Sequence, residues 1–156
     1  MRLQLLAGAL AVAAITACND PVRAEDQLEL TVGASRSTVA LTDTVVLAAA
    51  VYNGSSSTLP VARPCGRPVQ FEVLDAAGHV VLDSNGPDFS CAADTSATQL
   101  GLRAGQTLNS RLAIVGLTND GSPLPAGTYA LRATVIVAGT ARRSPSVFLI
   151  VPASTT

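Results

Sequence analysis

Apolar and polar residues alternate along most of this chain, in short runs that turn residues separate. An alternation with period two is typical of strands that bury one face. The runs that show it are 28–32, 39–41, 43–52, 69–74, 79–82, 100–102, 108–114, 129–137 and 146–151. Runs of this length, with turn signals about every 8–12 residues, predict an all-β protein, an antiparallel immunoglobulin-like β-sandwich of about 7–9 strands.

The stretch from Cys65 to Cys91 is read as a hairpin with a cysteine at each end. Its strands are 69–74 and 79–82, and the turn between them is Asp75-Ala-Ala-Gly78. An aspartate at the first turn position can bond to its own backbone, and glycine supplies the positive φ that such turns need.

The first residues predict export. Met1-Arg2 is followed by the uncharged apolar run 3–15, which is shorter than the roughly 20 residues that a membrane-spanning helix needs. The following Ile15-Thr16-Ala17-Cys18 resembles the lipobox of bacterial lipoprotein signals. This resemblance implies that residues 1–17 are removed and that Cys18 is acylated. An ordinary signal peptide with an incidental cysteine, or a buried N-terminal helix, is the alternative.

Lipidation would anchor the protein to a bacterial membrane on its exported side, periplasmic or extracellular. Residues 18–26 are polar and would form a lipidated tether, 27–152 the sandwich, and 153–156 a tail. All ten basic residues are arginine, one of which precedes Cys18, so the mature charge is about 9 − 11 = −2. Without a basic patch, nucleic acid is not expected as a partner.

The remaining cysteines, Cys65 and Cys91, form an even pair in an exported chain, which predicts a disulfide. The bridge would close a loop of about 27 residues, worth roughly 3.5 kcal/mol in the chain-entropy model. Two buried free thiols are the alternative. A zinc site is disfavoured because His79 is the single histidine of the chain.

Pro125-Ala-Gly127-Thr-Tyr129 opens a long strand and resembles the tyrosine corner of immunoglobulin-like folds. In such a corner, the phenol hydroxyl bonds to backbone a few residues upstream. The alternative is a half-buried tyrosine at the start of a strand.

Several motifs follow one another in an order that resembles the bacterial intracellular proteinase inhibitor (BsuPI) domain. They are the strand 43–52 ending at Asn53, then 71–81, 102–106 and 125–131. The resemblance covers about residues 27–151 and implies an immunoglobulin-like sandwich that could inhibit a protease. No reactive loop can be matched residue by residue, so no inhibitory residue is assigned.

No catalytic site, metal site or cofactor is predicted. His79 stands beside a turn without a recognisable nucleophile motif, and Asp83, Asn85 and Asp88 lack the bidentate glutamate of known calcium loops. The 142–145 segment Arg-Arg-Ser-Pro is read as a solvated hairpin turn, with a protease bait as the alternative. The loops 53–60, 84–98 and 117–126 are where a binding surface would lie.

The resulting hypothesis is a non-catalytic, membrane-anchored lipoprotein that acts as an interaction module for an envelope protein. An envelope protease inhibitor of the BsuPI type is the second hypothesis. A metal- or carbohydrate-binding sandwich is the third, disfavoured because aromatic residues make up only 3% of the chain.

Overall fold

A computed structural model describes residues 23–40, 42–86, 99–116, 122 and 124–153. The strands in these ranges are Leu28–Ala34 (β1), Thr44–Asn53 (β2), Leu59–Ala62 (β3), Gln70–Leu74 (β4), Val80–Asp83 (β5), Gln99–Leu102 (β6), Thr107–Val115 (β7), Gly127–Val137 (β8), Thr140–Arg143 (β9) and Val147–Val151 (β10). Two short 3₁₀ helices, Ala24–Gln27 and Pro64–Gly66, complete the described elements. Neither is long and apolar enough to cross a bilayer.

Two antiparallel sheets form the fold. One has the order β1-β2-β7, and the other has the order β5-β4-β8-β3-β6, with β9 and β10 also paired to β8. Residues 37–39 add a parallel contact to β10, in which Val39 N–H donates to Ile150 O at 2.8 Å. The predicted all-β antiparallel sandwich is therefore confirmed.

The core lies between the sheets and follows the period-two pattern of the sequence. On β2 the inward side chains alternate with half-buried ones, and the same is true of most of β8. The inward set comprises Val45, Leu47, Ala49 and Val51 on β2 and Tyr129, Leu131, Ala133, Val135 and Val137 on β8. Phe71 is the largest fully buried side chain, and together with the buried ring of Tyr129 it supplies the aromatic part of an otherwise aliphatic core in the described ranges.

Two four-residue strands were not expected from the sequence, which is why the described chain has ten strands rather than 7–9. Part of the predicted loop 53–60 belongs to β3, whose pairing with β6 includes Leu59 opposite Leu102. The sequence does not predict this strand because it contains Pro60, and proline is normally excluded from sheet interiors. The predicted strand 39–41 is not among the described strands, because this stretch makes a single parallel bridge from Thr38 to Ile150 and residue 41 lies outside the described ranges. The other predicted strands are present, with bounds that shift by a residue or two.

The interpretation of 142–145 as a hairpin turn is wrong. The turn lies earlier, at Ala138 (φ 49°) and Gly139 (φ 80°), and Arg142 and Arg143 belong to β9. Positive φ at both central residues is what a two-residue hairpin favours. The arginine pair is consequently held in a sheet, which does not suit a flexible bait loop.

The strands run between two ends of the sandwich. At the end where the described chain begins, Gly54 N–H donates to Gln27 O at 3.0 Å and Gly105 N–H donates to Asn53 O at 2.8 Å. We call this the entry end. The opposite end, the far end, holds the β4–β5 turn and the start of β8, and the 11 residues of β8 separate the two by about 35 Å.

Candidate functional site

The β4–β5 turn at the far end is built by Asp75, as the sequence predicts. Its Oδ1 accepts the N–H groups of Ala77 at 2.9 Å and His79 at 2.8 Å, and Gly78 has φ 84°. Donation from the backbone N–H of His79 is the main cause that holds the pKa of Asp75 below its usual value. The turn therefore carries a fixed negative charge at neutral pH.

His79 contacts the same carboxylate, with Nδ1 3.1 Å from Asp75 Oδ2. Its side chain is 80% exposed, and no serine or cysteine of the described ranges bonds to it. General-base catalysis needs a nucleophile or substrate proton within hydrogen-bond reach. This pair therefore shapes and caps the turn.

Pro125, Gly127 and Tyr129 come together beside the turn. Tyr129 O–H donates to Pro125 O at 2.8 Å, which is the hydrogen bond that the tyrosine-corner interpretation predicts. The phenol ring is buried, and a Cβ added to Gly127 would lie 3.8 Å from it. The segment before β8 is thus fixed against the ring.

A groove of about 480 Å³ lies between this corner and the β4–β5 turn. We call it the far groove. Its residues are Asp75, Ala76, Ala77, Val81, Leu124, Pro125, Ala126, Gly127, Thr128 and Tyr129. The lining is mostly apolar, with the charged Asp75 at one side, so its chemistry suits an apolar group next to a hydrogen-bond donor or a cation.

A second cleft, of about 540 Å³, lies between the edges of β1 and β9. Arg142 Nη2 donates to Asp26 Oδ1 at 2.6 Å across it, which ties the first described residues to β9. Arg142 Nε is buried and has no hydrogen-bond partner among the described residues. The cleft belongs to the entry end.

The outer face of the larger sheet carries a salt bridge and, close to it, exposed apolar side chains. Arg132 Nε donates to Glu72 Oε2 at 2.5 Å, and both side chains are largely buried, at 26% and 14% exposure. Phe148 and Ile150 project from β10 with 64% and 48% exposure. These two residues form the most exposed apolar strip on that strand.

Asn53 organises the entry end, a role that sequence reasoning missed. Its fully buried Nδ2 donates to Ser57 O at 2.8 Å and to Leu102 O at 2.9 Å. Its Oδ1 accepts from Ser55 N–H and O–H. The Asn53-Gly54 pair signals a turn, but the partner on β6 is 49 residues away and leaves no local trace.

Several predicted site residues lie outside the described ranges, among them Cys18, Cys91 and Asp88. Cys65 lies in the short helix Pro64–Gly66. Lipidation and the Cys65–Cys91 disulfide therefore stay predictions. Of the predicted binding loops, 84–98 is described as far as residue 86, and 117–126 at 122 and 124–126.

The proposed calcium segment is partly described. Asp83 Oδ1 accepts Gln70 Nε2 and Asn85 N–H, both at 2.8 Å, as a polar turn does. No group of three or more potential metal ligands occurs in the part of the chain that the structure describes.

Comparison with known proteins identifies the fold alone. Neither a family model nor a curated protein matches this sequence. Among solved structures, the C-terminal domain of wzt has 13% identity and a TM-score of 0.52, with 83% of this chain and 75% of that chain covered. The CARDB domain of a Pyrococcus furiosus protein, in complex with di-metal ions, has 12% identity and a TM-score of 0.48, over 80% and 86% of the two chains.

The Pseudomonas fluorescens alkylpurine DNA glycosylase AlkC has 12% identity and a TM-score of 0.49. The match covers 81% of this chain but 31% of the glycosylase, so the chain spans less than a third of that enzyme. Identities this low carry a similarity of fold and none of function.

Proposed function

We propose that this protein is a non-catalytic, lipid-anchored module of the bacterial cell envelope that binds an envelope protein through its far end. The sequence around Cys18 supports the anchor. The observation that supports the binding end is geometric: the described chain enters at one end of the sandwich, and the far groove lies at the other.

The distances favour this orientation. Residues 18–23 can span at most about 20 Å, so an acylated Cys18 would hold the entry end close to the membrane. The far groove would then lie about 35 Å further out, at the start of β8. A partner in the envelope would meet the far groove first.

The anchor is tested by replacing the acylated residue. Cys18→Ala should move the protein from the membrane fraction to the soluble fraction, because about 0.8 kcal/mol per buried CH₂ is lost with each acyl chain. Sedimentation of the variant with membranes would mean that something other than the lipid holds the protein.

The binding end is tested with a photo-crosslinking residue placed at either of two alanines. Ala77 lies in the β4–β5 turn on the far groove, and Ala104 lies in an exposed turn at the entry end. Illumination of intact cells should produce a discrete adduct with the Ala77 probe and not with the Ala104 probe. Equal adducts from both positions, or none from Ala77, would refute the far end as the binding surface.

The resemblance to the BsuPI domain makes a protease the partner to test first. If the adduct contains a protease, the purified protein should inhibit it with one-to-one stoichiometry. If the adduct contains a protein without protease activity, the interaction module stands and the inhibitor hypothesis fails.

A further inference from the structure

Strand β7 is an edge of the smaller sheet in the part of the chain that the structure describes. It pairs with β2 over nine consecutive residues without a register shift, and no strand of the described ranges lies on its other side. Edge strands are usually blunted by proline, by charged side chains or by a bulge. Strand β7 has no proline and no bulge, and Arg111 is its one charged residue.

The ladder with β2 shows which backbone groups of β7 remain free. Asn53 N–H donates to Gln106 O at 3.0 Å, and Gly116 N–H donates to Asp43 O at 3.3 Å. These bonds set the phase of the antiparallel ladder, in which alternate residues bond to the partner strand. Residues 108, 110, 112 and 114 therefore bond to β2, and residues 107, 109, 111, 113 and 115 direct N–H and C=O toward the open edge.

The side chains of β7 are symmetric about Ser110. Leu108 and Leu112 flank it at equal distance on the inner face, and both remain half-buried at the margin of the core. Asn109 and Arg111 flank it on the exposed outer face. A strand with this symmetry is complementary to an antiparallel copy of itself.

We propose that β7 is a self-association edge, at which two copies of this chain pair antiparallel about a two-fold axis at Ser110. Asn109 then lies opposite Arg111 of the other copy, and Thr107 opposite Ala113. On the inner face, Leu108 of each copy covers Leu112 of the other. The two small sheets become one continuous sheet of six strands.

The alternative registers are less favourable. Centring the pair on Arg111 places two guanidinium groups directly opposite, and like charges in cross-strand positions repel. Centring it on Leu112 sets Asn109 against the apolar Val115 and leaves Leu108 without an apolar partner. The Ser110 register forms four hydrogen-bonded pairs, or about eight main-chain bonds, against five pairs for the Arg111 register and four for the Leu112 register. The side chains, and not the number of main-chain bonds, therefore select the Ser110 register.

The first test is disulfide formation in intact cells between copies of variants that carry one added cysteine, with the wild type, which keeps its three native cysteines, as the background control. The two copies of residue 110 face each other in a non-hydrogen-bonded pair, with Cα atoms about 4.5 Å apart, which a disulfide can bridge. Ser110→Cys should therefore give a dimer band on a non-reducing gel after mild oxidation. Val115→Cys is the matched control, because it is exposed on the same strand, but its two copies would lie about 33 Å apart.

The second test breaks the edge without touching the core. Asn109→Pro removes an N–H that points to the open edge and leaves the ladder with β2 intact, whereas Asn109→Ala keeps that donor. Combined with Ser110→Cys, the proline should reduce the dimer band at least tenfold, and the alanine should leave it within twofold. Unchanged unfolding midpoints confirm that both variants fold.

The full chain in detergent gives an independent readout. A small edge-to-edge interface is weak, so light scattering is measured up to about 100 µM protein. Twice the chain mass for the wild type and a single chain mass for Asn109→Pro are expected. A wild type that stays at one chain mass overturns the proposal. So does a Val115→Cys band as strong as the Ser110→Cys band, or a dimer that survives the proline. None of these outcomes depends on the lipid anchor or on the far groove.

Discussion

The hydrogen bond from Tyr129 to Pro125 gives the sharpest stability prediction. Tyr129→Phe removes the hydroxyl and leaves the buried ring in place, so the change deletes one 2.8 Å hydrogen bond and creates no cavity. The core packing of β8 should be unaffected.

The size of the stability loss depends on whether the Pro125 carbonyl, which loses its donor, can bond to water instead. Pro125 is exposed, so its carbonyl can bond to water in the variant. The free energy of unfolding should therefore fall by the net contribution of an ordinary hydrogen bond, about 1 kcal/mol. The larger penalty of a buried unsatisfied group should not apply. For a folded domain of residues 27–152, this corresponds to a fall of about 4 °C in the melting temperature.

Urea unfolding of the full chain measures the effect, and the other tyrosine provides the control. Tyr52 is 39% exposed, and its hydroxyl makes no hydrogen bond with any residue that the structure describes. Tyr52→Phe should thus change the free energy of unfolding by less than about 0.5 kcal/mol. If Tyr129→Phe proves as neutral as Tyr52→Phe, with equal m-values, the tyrosine does not fasten the start of β8.

Three further variants probe the rest of the fold. Asn53→Ala should reduce the free energy of unfolding by about 3 kcal/mol in urea titrations, because the buried Leu102 carbonyl loses its donor. A loss under about 1 kcal/mol would mean that the hydrogen bonds of Asn53 do not hold the entry end together. Asp75 has a lowered pKa in the folded state, so its stabilising contribution is present above the unfolded value of 3.8 and is lost as the pH falls through the folded value. The difference in unfolding midpoint between wild type and Asp75→Asn should accordingly be largest above pH 4 and vanish at the acid end; a pH-independent difference would contradict this. Phe71→Ala should cost about 4 kcal/mol, against less than about 0.5 kcal/mol for the exposed Phe148→Ala, and similar losses for the two would exclude a core centred on Phe71.

Local alternation of apolar and polar residues was enough to predict the fold class and the inward faces of the long strands. Period-two alternation needs no knowledge of neighbours, because a strand with one buried face must place its apolar residues two apart. The alternate residues from Val45 to Val51 on β2 and from Tyr129 to Val137 on β8 are buried for this reason. The β4–β5 turn could also be predicted from local sequence, because the hydrogen bonds of Asp75 and the positive φ of Gly78 all fall within residues 75–79.

The short strands were decided by their partners. Leu59–Ala62 contains a proline, and Thr140–Arg143 contains two arginines, so neither has a strand signature of its own. Each becomes a strand because β6 or β8 supplies its hydrogen bonds. The local sequence does not reveal which strand will lie beside it. The Arg142–Asp26 pair, 116 residues apart, has the same origin.

The surfaces that matter for the proposals were also set by tertiary structure. The sequence contains the symmetric Leu-Asn-Ser-Arg-Leu of β7, but only the sheet order leaves that strand at an open edge. Likewise, Asp75 and Tyr129 are 54 positions apart and share a groove because the turn of one hairpin stands beside the start of β8. Which backbone groups are left without a partner is a property of the whole chain, and local composition does not encode it.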